Sequence, residues 1–214
     1  TGRPKGVVLS FDNVFAAVSN IIEYADYDTH SRELVCLPLT HSFGMNQVWA
    51  NLLSGGFVYL LEGFSRVKIL FSTLNEENIS RFPGTPTSLS LLMGRYIEPF
   101  KQSTKSLQQM MVNSSFLPPD QAHYILKNMT NVRLMVYYGL TEASRTTFHT
   151  HHMQSSQEHF NTVGRPPGDI SVKILSSEER ELGPFEKGEI VVSGSTVMLR
   201  YKNQPRETQK CLNE

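Results

Sequence analysis

The stretch Val132-Arg133-Leu134-Met135-Val136-Tyr137-Tyr138-Gly139-Leu140-Thr141-Glu142-Ala143-Ser144 decides the fold. Its first half is a short apolar run, the mark of a strand buried on both faces. The run ends on two tyrosines and a glycine, and Thr141 and Glu142 follow the turn. Read backwards from there, the chain repeats one grammar. Residues 120–127 predict a helix and 107–112 a strand. Residues 88–96 predict a helix behind the turn Pro83-Gly84-Thr85-Pro86, and 79–82 a strand before it. Earlier still come a helix over 66–74, a strand over 57–61 and a helix over 44–53 that stops at Gly55-Gly56. A strand over 33–38 ends at Pro38. In 10–26, Val14, Ala17, Val18, Ile21, Ile22 and Ala25 recur at helical spacing, with Ser10 or Asp12 as the cap. Alternating strands and helices predict an α/β fold: a parallel sheet flanked by helices.

Read forwards, the grammar changes. Residues 145–163 are polar and rich in His and predict a loop. Beyond Gly164, the runs 170–175 and 189–192 are separated by Glu178-Glu179-Arg180-Glu181 and Gly183-Pro184, which predicts a small antiparallel β subdomain. The expected division is an α/β unit over 1–144, the His-rich loop over 145–163 and an incomplete β subdomain over 164–214.

Composition excludes several classes. Among 214 residues, twenty Lys+Arg balance twenty Asp+Glu, so no excess of positive charge exists to hold nucleic acid. No apolar run approaches the roughly 18 residues of a membrane span. Two cysteines, Cys36 and Cys211, make no disulfide framework and fit a reducing cytoplasm. The apolar periods carry no charge at their core positions.

Three segments offer chemistry. In Thr1-Gly2-Arg3-Pro4-Lys5-Gly6, glycines flank a Lys, so backbone N–H groups and an ammonium can approach phosphate oxygens. The plain alternative is a turn with an exposed Lys. After the strand at 132–137, a Tyr face can stack on a purine, a Thr hydroxyl can bond a phosphate oxygen and Glu142 can ligate Mg²⁺. The alternative there is a helix start, with Thr141 as cap and Glu142 in the first turn. In Leu37-Pro38-Leu39-Thr40-His41-Ser42-Phe43-Gly44-Met45, His41 stands ready to line a pocket or simply to pack.

In chain order these segments resemble the adenylate-forming superfamily: AMP-forming acyl-CoA synthetases, aryl-CoA ligases, firefly luciferase and peptide-synthetase adenylation domains. The segment from Thr1 to Val7 is similar to the tail of the signature loop S-G-T-T-G-x-P-K-G-V. Tyr138-Gly139-Leu140-Thr141-Glu142 matches Y-G-x-T-E. Asn161-Thr162-Val163-Gly164-Arg165-Pro166 resembles S-V-G-x-P. Gly188-Glu189-Ile190-Val191-Val192-Ser193-Gly194, then Met198 to Thr208, resemble G-E-I-x-V-x-G … M-x-G-Y-x-N-x-P-E-x-T.

The resemblance implies an acyl-CoA synthetase-like N-terminal domain. It implies that a carboxylic acid joins ATP as an acyl-adenylate, with release of pyrophosphate, and then passes to coenzyme A or a carrier-protein thiol. Under it, Thr1, Gly2, Lys5 and Gly6 hold phosphates and Glu142 ligates Mg²⁺. Thr141 bonds the α-phosphate and Tyr138 packs on adenine, with Tyr137, Gly139 and Leu140 beside it. Ser115, Phe116 and Leu117 border the nucleotide. His41 gates the acyl pocket, and Phe43 and Phe116 line it. Thr141, Glu142, His41 and Lys5 form the implied catalytic set.

The chain departs from the pattern in three ways. Ser114-Ser115-Phe116-Leu117-Pro118-Pro119 stands where many relatives have S-G-G-A-P-L, so Phe116 is expected to narrow the pocket towards a short or unusual acyl group. Leu140 stands where the peptide-synthetase branch has Pro, which favours the acyl-CoA side. The first half of the phosphate loop, the ribose-binding Asp, the hinge and the C-terminal lid with its Lys do not appear, so an internal fragment of a longer enzyme is expected. Arg145 reads as a surface residue, with a second substrate charge as the alternative. Two other functions compete: a truncated, non-catalytic nucleotide-binding relative, and a metal site at His149, His151, His152 and His159.

Overall fold

The computed structural model describes residues 4–153 and 157–212, of residues 157 and 158 the backbone only. In chain order the first elements are β1 (Val7–Val8), α1 (Phe11–Tyr24), β2 (Arg32–Val35), α2 (Ser42–Leu53), β3 (Phe57–Leu60) and α3 (Val67–Glu76). Next come β4 (Arg81–Gly84), α4 (Pro86–Arg95), α5 (Ile97–Ser103), β5 (Gln109–Val112), α6 (Pro119–Asn128), β6 (Arg133–Tyr138) and β7 (Thr147–His151). A 3₁₀ turn (Gln157–Asn161), β8 (Ser171–Leu175), β9 (Glu189–Ser193), β10 (Arg200–Tyr201) and α7 (Pro205–Gln209) complete the set.

Six strands form the main sheet in the order β3-β2-β4-β5-β6-β7. The first five run parallel, and β7 is antiparallel to β6, with Tyr137 opposite Phe148. The two-residue pleat sends alternate side chains to opposite faces. Leu34, Met110, Val112, Leu134 and Val136 join the core built by α3, α4, α5 and α6. Val35, Met111, Met135 and Tyr137 join the core under α1 and α2. Both faces are covered, which is why these strands read as continuous apolar runs. Two antiparallel pairs stand apart from this sheet: β8 with β9, and β1 with β10.

The chain reverses direction across the sheet between β2 and β4, the place where open α/β sheets open a crevice. There β4 shares only the pair Glu33–Arg81 with β2 but four pairs with β5. So Pro83, expected in a turn, continues the strand on its β5 side. Local chemistry fixes the helices beside this crevice. Ser10 and Asn13 cap α1 reciprocally, and Thr85 and Ser88 do the same for α4.

The structure corrects three sequence expectations. Residues 145–163 are not simply a loop: β7 occupies 147–151 and closes one edge of the sheet. Its composition misleads because Thr and His hydrogen-bond through their backbones as well as any apolar residue. Two charges do stand in the core: Glu33 and Arg145 are each 1% exposed. And α5 was not foreseen. Its Pro99 lies within the first turn, where a missing N–H takes no helical bond away.

Candidate active site

The strand β6 delivers Tyr137 and Tyr138 to opposite faces. Tyr137 is buried under α2, edge-on to Phe43 with ring centroids 5.3 Å apart. Tyr138 is half-buried at the mouth of the sheet. No helix follows; residues 139–146 fold back as a compact turn. Leu140 N donates to Ala143 O at 3.0 Å, and Thr146 Oγ1 donates to the same oxygen at 2.9 Å. Gly139 is required here: a Cβ would stand 2.6 Å from Arg145 N. Thr141 is therefore no helix cap. It is exposed on the turn.

The turn is tied to the chain's other end. Met198 N donates to Glu142 O at 2.8 Å, and Ala143 bridges to Val197. The Tyr201 hydroxyl, brought up by the β1–β10 pair, donates to Glu142 Oε1 at 2.6 Å. This bond to a carboxylate, with burial, pushes the Tyr201 phenol well above its ordinary range. The Lys5 ammonium lies 4.3 Å from the centre of the Tyr201 ring. Lys5, Tyr201 and Glu142 thus form one continuous cluster. Glu142 is half-buried and makes no ion pair among the described residues, so its second oxygen is available to a cation.

His41 sits at the start of α2, its Nδ1 accepting from Phe43 N at 3.2 Å. Gly44 lets that helix approach the preceding strand exit; a Cβ there would meet Pro38 O at 2.7 Å. His41, Thr141 and Ser144 line one cavity of about 230 Å³ between α1, α2 and the turn. Its wall is otherwise mostly apolar, including Val14, Leu39, Met45 and Trp49.

Not every expected residue joins it. Phe43 is 2% exposed and packs in the core, not in the cavity wall, because the helical turn after His41 points it at Tyr137. Phe116 is 60% exposed. With Ser115 and Leu117 it borders a different, small cavity of about 30 Å³ beside Tyr137, His151 and Phe160, so it does not narrow the larger one. Ser114, held at φ 85°, turns this segment outward. Gly6 lies beside Lys202, whose N–H donates to Gly6 O at 2.7 Å. Thr1 and Gly2 lie outside the described residues.

Arg145 reverses its expectation. At φ 61° it turns its side chain inward, with its guanidinium 4.0 Å from the Tyr137 ring centre. Nη2 donates to Gln47 Oε1 and Nη1 to Ser144 Oγ, each at 3.4 Å, and Nε has no partner. Gln47 passes the contact on to Glu33, donating to its Oε1 at 3.0 Å. Burial raises the Glu33 carboxyl to about 7, against the lowering pull of the hydrogen bonds it accepts from Tyr27, Gln47 and Asn51.

Of the histidines weighed as a metal alternative, His151 is buried, His149 half-buried, and His152 and His159 exposed. His151 stacks on Phe160 at 5.0 Å, and burial pulls it down to about 4. Among the described residues no group of three or more His, Cys, Asp or Glu is placed to hold a metal ion. No described helix is long and apolar enough to cross a membrane.

Lys5 and Tyr201 beside Glu142, and His41 with Thr141 in one cavity, accompany a match to the model of the AMP-binding enzymes over residues 1–202. The chain belongs to the AMP-binding enzyme family. Among its curated relatives, a feruloyl-CoA synthase of an Amycolatopsis species is 29% identical over all of this chain and 43% of that protein. A long-chain-fatty-acid–CoA ligase of Bacillus subtilis (strain 168) is 30% identical over all of the chain and 38% of that protein. A D-alanine–D-alanyl carrier protein ligase of Streptococcus pyogenes (serotype M5, strain Manfredo) is 26% identical over 97% of the chain and 42% of that protein. The amide bond synthetase McbA from Marinactinospora thermotolerans superposes with a TM-score of 0.89 at 25% identity, over all of this chain and 43% of that structure. The chain thus spans about two fifths of the relatives it matches. The resemblance drawn from five motifs and the adenylate-forming domain fold both hold across the AMP-binding match.

Sequence reasoning missed Ser144, Asn46, Thr196 and the Glu142 partner Tyr201. Tyr201 lies inside the quoted 198–208 stretch and Ser144 closes the quoted 132–144 stretch, while Asn46 and Thr196 had no signal.

Proposed function

We propose that this chain supplies the adenylating site of an ATP-dependent acid–thiol ligase, with coenzyme A as the acceptor. A carboxylate oxygen attacks the α-phosphorus of ATP, the bond to the β-phosphate oxygen breaks, and pyrophosphate leaves. Both partners are anionic, so the site must supply positive charge and fixed donors. Lys5 and Gly6, with Thr1 and Gly2 before them, take the β- and γ-phosphates. Thr141 takes the α-phosphate, Tyr138, Gly139 and Leu140 the adenine edge. Glu142 would hold Mg²⁺, which would spread the phosphate charge. Tyr201 leaves Glu142 one oxygen for that metal while fixing the other. His41 stands at the mouth of the cavity, where the acid enters.

The observation that carries this reading is the Lys5–Tyr201–Glu142 cluster beside the His41 cavity. The CoA acceptor is favoured by relatives described as CoA ligases. On this reading the enzyme works in the cytoplasm, with a C-terminal lid domain in cis. The test is ATP–pyrophosphate exchange by the full-length protein over a panel of acids, followed by CoA and carrier-protein thiols as acceptors. Exchange that requires both Mg²⁺ and an acid is expected; none with any acid sinks the proposal.

A further inference from the structure

The cavity at His41 is small and mostly apolar, yet one patch of its wall is not. Ser144, Asn46 and Thr196 line it together, exposed by 6%, 6% and 1% respectively. A serine hydroxyl has two lone pairs and one proton. Both acceptor positions of Ser144 Oγ are taken: Asn46 Nδ2 donates at 3.3 Å and Arg145 Nη1 at 3.4 Å. Its proton has no acceptor among the described residues. Thr196, another lining residue, has a buried Oγ1 with no partner among the described residues. A buried polar group without a partner is costly and rare, and it calls for an explanation.

The charge behind the patch points the same way. Arg145 is a buried cation with two long hydrogen bonds, an unpartnered Nε and no ion pair among the described residues. Its positive end backs Ser144 and polarises that hydroxyl towards the cavity. A plain alkyl chain filling this space would leave both hydroxyls unanswered. An oxygen atom on the chain would answer them.

We propose that Ser144 and Thr196, backed by Arg145 and Asn46, form a polar subsite that selects acids carrying a second oxygen function: a keto, hydroxy or further carboxylate group. The inference rests on the adenylation reading above and on the cavity being the acyl pocket. Specificity of this kind is strong, because a site built around hydrogen-bonding groups rejects the analogue that lacks them.

The test is ATP–pyrophosphate exchange by the full-length protein on matched acids: butyrate against 3-hydroxybutyrate and acetoacetate, and hexanoate against adipate. The expected result is a higher kcat/KM for an oxygenated member of a pair. Ser144→Ala and Thr196→Val should then cut that preference about ten- to a hundredfold. A variant that is merely damaged would lose both acids equally, so the preference ratio separates selection from folding. If the plain acids are preferred, or the ratio is unmoved in both variants, the subsite is overturned and the adenylation reading stands. If no acid supports exchange, the adenylation reading falls and takes the subsite with it.

Discussion

Glu33 offers a pH experiment whose sign and size both follow from the structure. It is 1% exposed on β2, and its carboxyl accepts from Tyr27 (2.7 Å), Gln47 (3.0 Å) and Asn51 (3.4 Å). Burial raises it from an ordinary 4.5 to about 7. Between those values the folded chain holds a proton that the unfolded chain has released. Its stabilising contribution is therefore complete below 4.5 and is lost as pH rises through about 7. Each pH unit in that interval is worth about 1.4 kcal/mol, so the whole is about 3 kcal/mol. His151 works in the opposite direction. Burial takes it from 6.5 to about 4, so its contribution is lost as pH falls through that range. The two slopes oppose each other, and the wild-type curve alone is uninformative. The difference between wild type and Glu33→Gln isolates Glu33, because His151 is common to both. Gln keeps the volume and an acceptor for Tyr27 but cannot ionise. Urea unfolding followed by circular dichroism should show wild type losing about 3 kcal/mol relative to the variant between pH 4.5 and about pH 8. A difference that does not change with pH, or one that grows towards acid, would refute the reasoning.

Three further predictions concern the turn and its supports. Tyr201→Phe removes a charge-assisted hydrogen bond worth about 1.5–3 kcal/mol, so the Mg²⁺ concentration needed for half-maximal exchange should rise at least about tenfold. The KM for the acid should not move; an equal loss in both would make Tyr201 merely structural. Glu142→Gln should lower Mg²⁺-dependent exchange by about a hundredfold or more without changing the urea midpoint by over about 1 kcal/mol, which steady-state kinetics and unfolding together check. Gly164→Ala should destabilise by about 3 kcal/mol or more, since its Cβ would fall 1.7 Å from Phe148 O at φ 86°. An unshifted urea midpoint would contradict that.

The parallel sheet was legible because both its faces are buried, so the strands 33–38, 107–112 and 132–137 read as plain apolar runs. The strand β7 was not, because an edge strand of Thr and His looks like a loop when only side chains are counted. The motifs marked Thr141, Glu142 and His41 as candidates, and the structure brings His41 and Thr141 to one cavity. Phe43 and Phe116 do not line that cavity. Motif spacing fixes a residue's place along the chain, but the direction of its side chain depends on the local turn. Arg145 shows the same limit: a residue with φ 61° points inward where ordinary statistics for Arg say outward.

That inward turn explains how an irregular segment can hold chemistry still. Residues 139–146 have no helix or ladder of their own to set them. On one side, Met198 and Tyr201 fix the backbone and side chain of Glu142. On the other, Arg145 stacks on Tyr137 and reaches Glu33 on β2 through Gln47. Neither support alone would set both ends of the turn. Cutting the first frees Glu142 while leaving Ser144 in place; cutting the second does the reverse. Metal binding and acid selection should therefore respond independently to Tyr201→Phe and Arg145→Met, and the double variant should show the product of the two effects rather than a shared collapse. Strong coupling between them would mean that the turn moves as one body, and that the two-sided anchoring argued here is wrong.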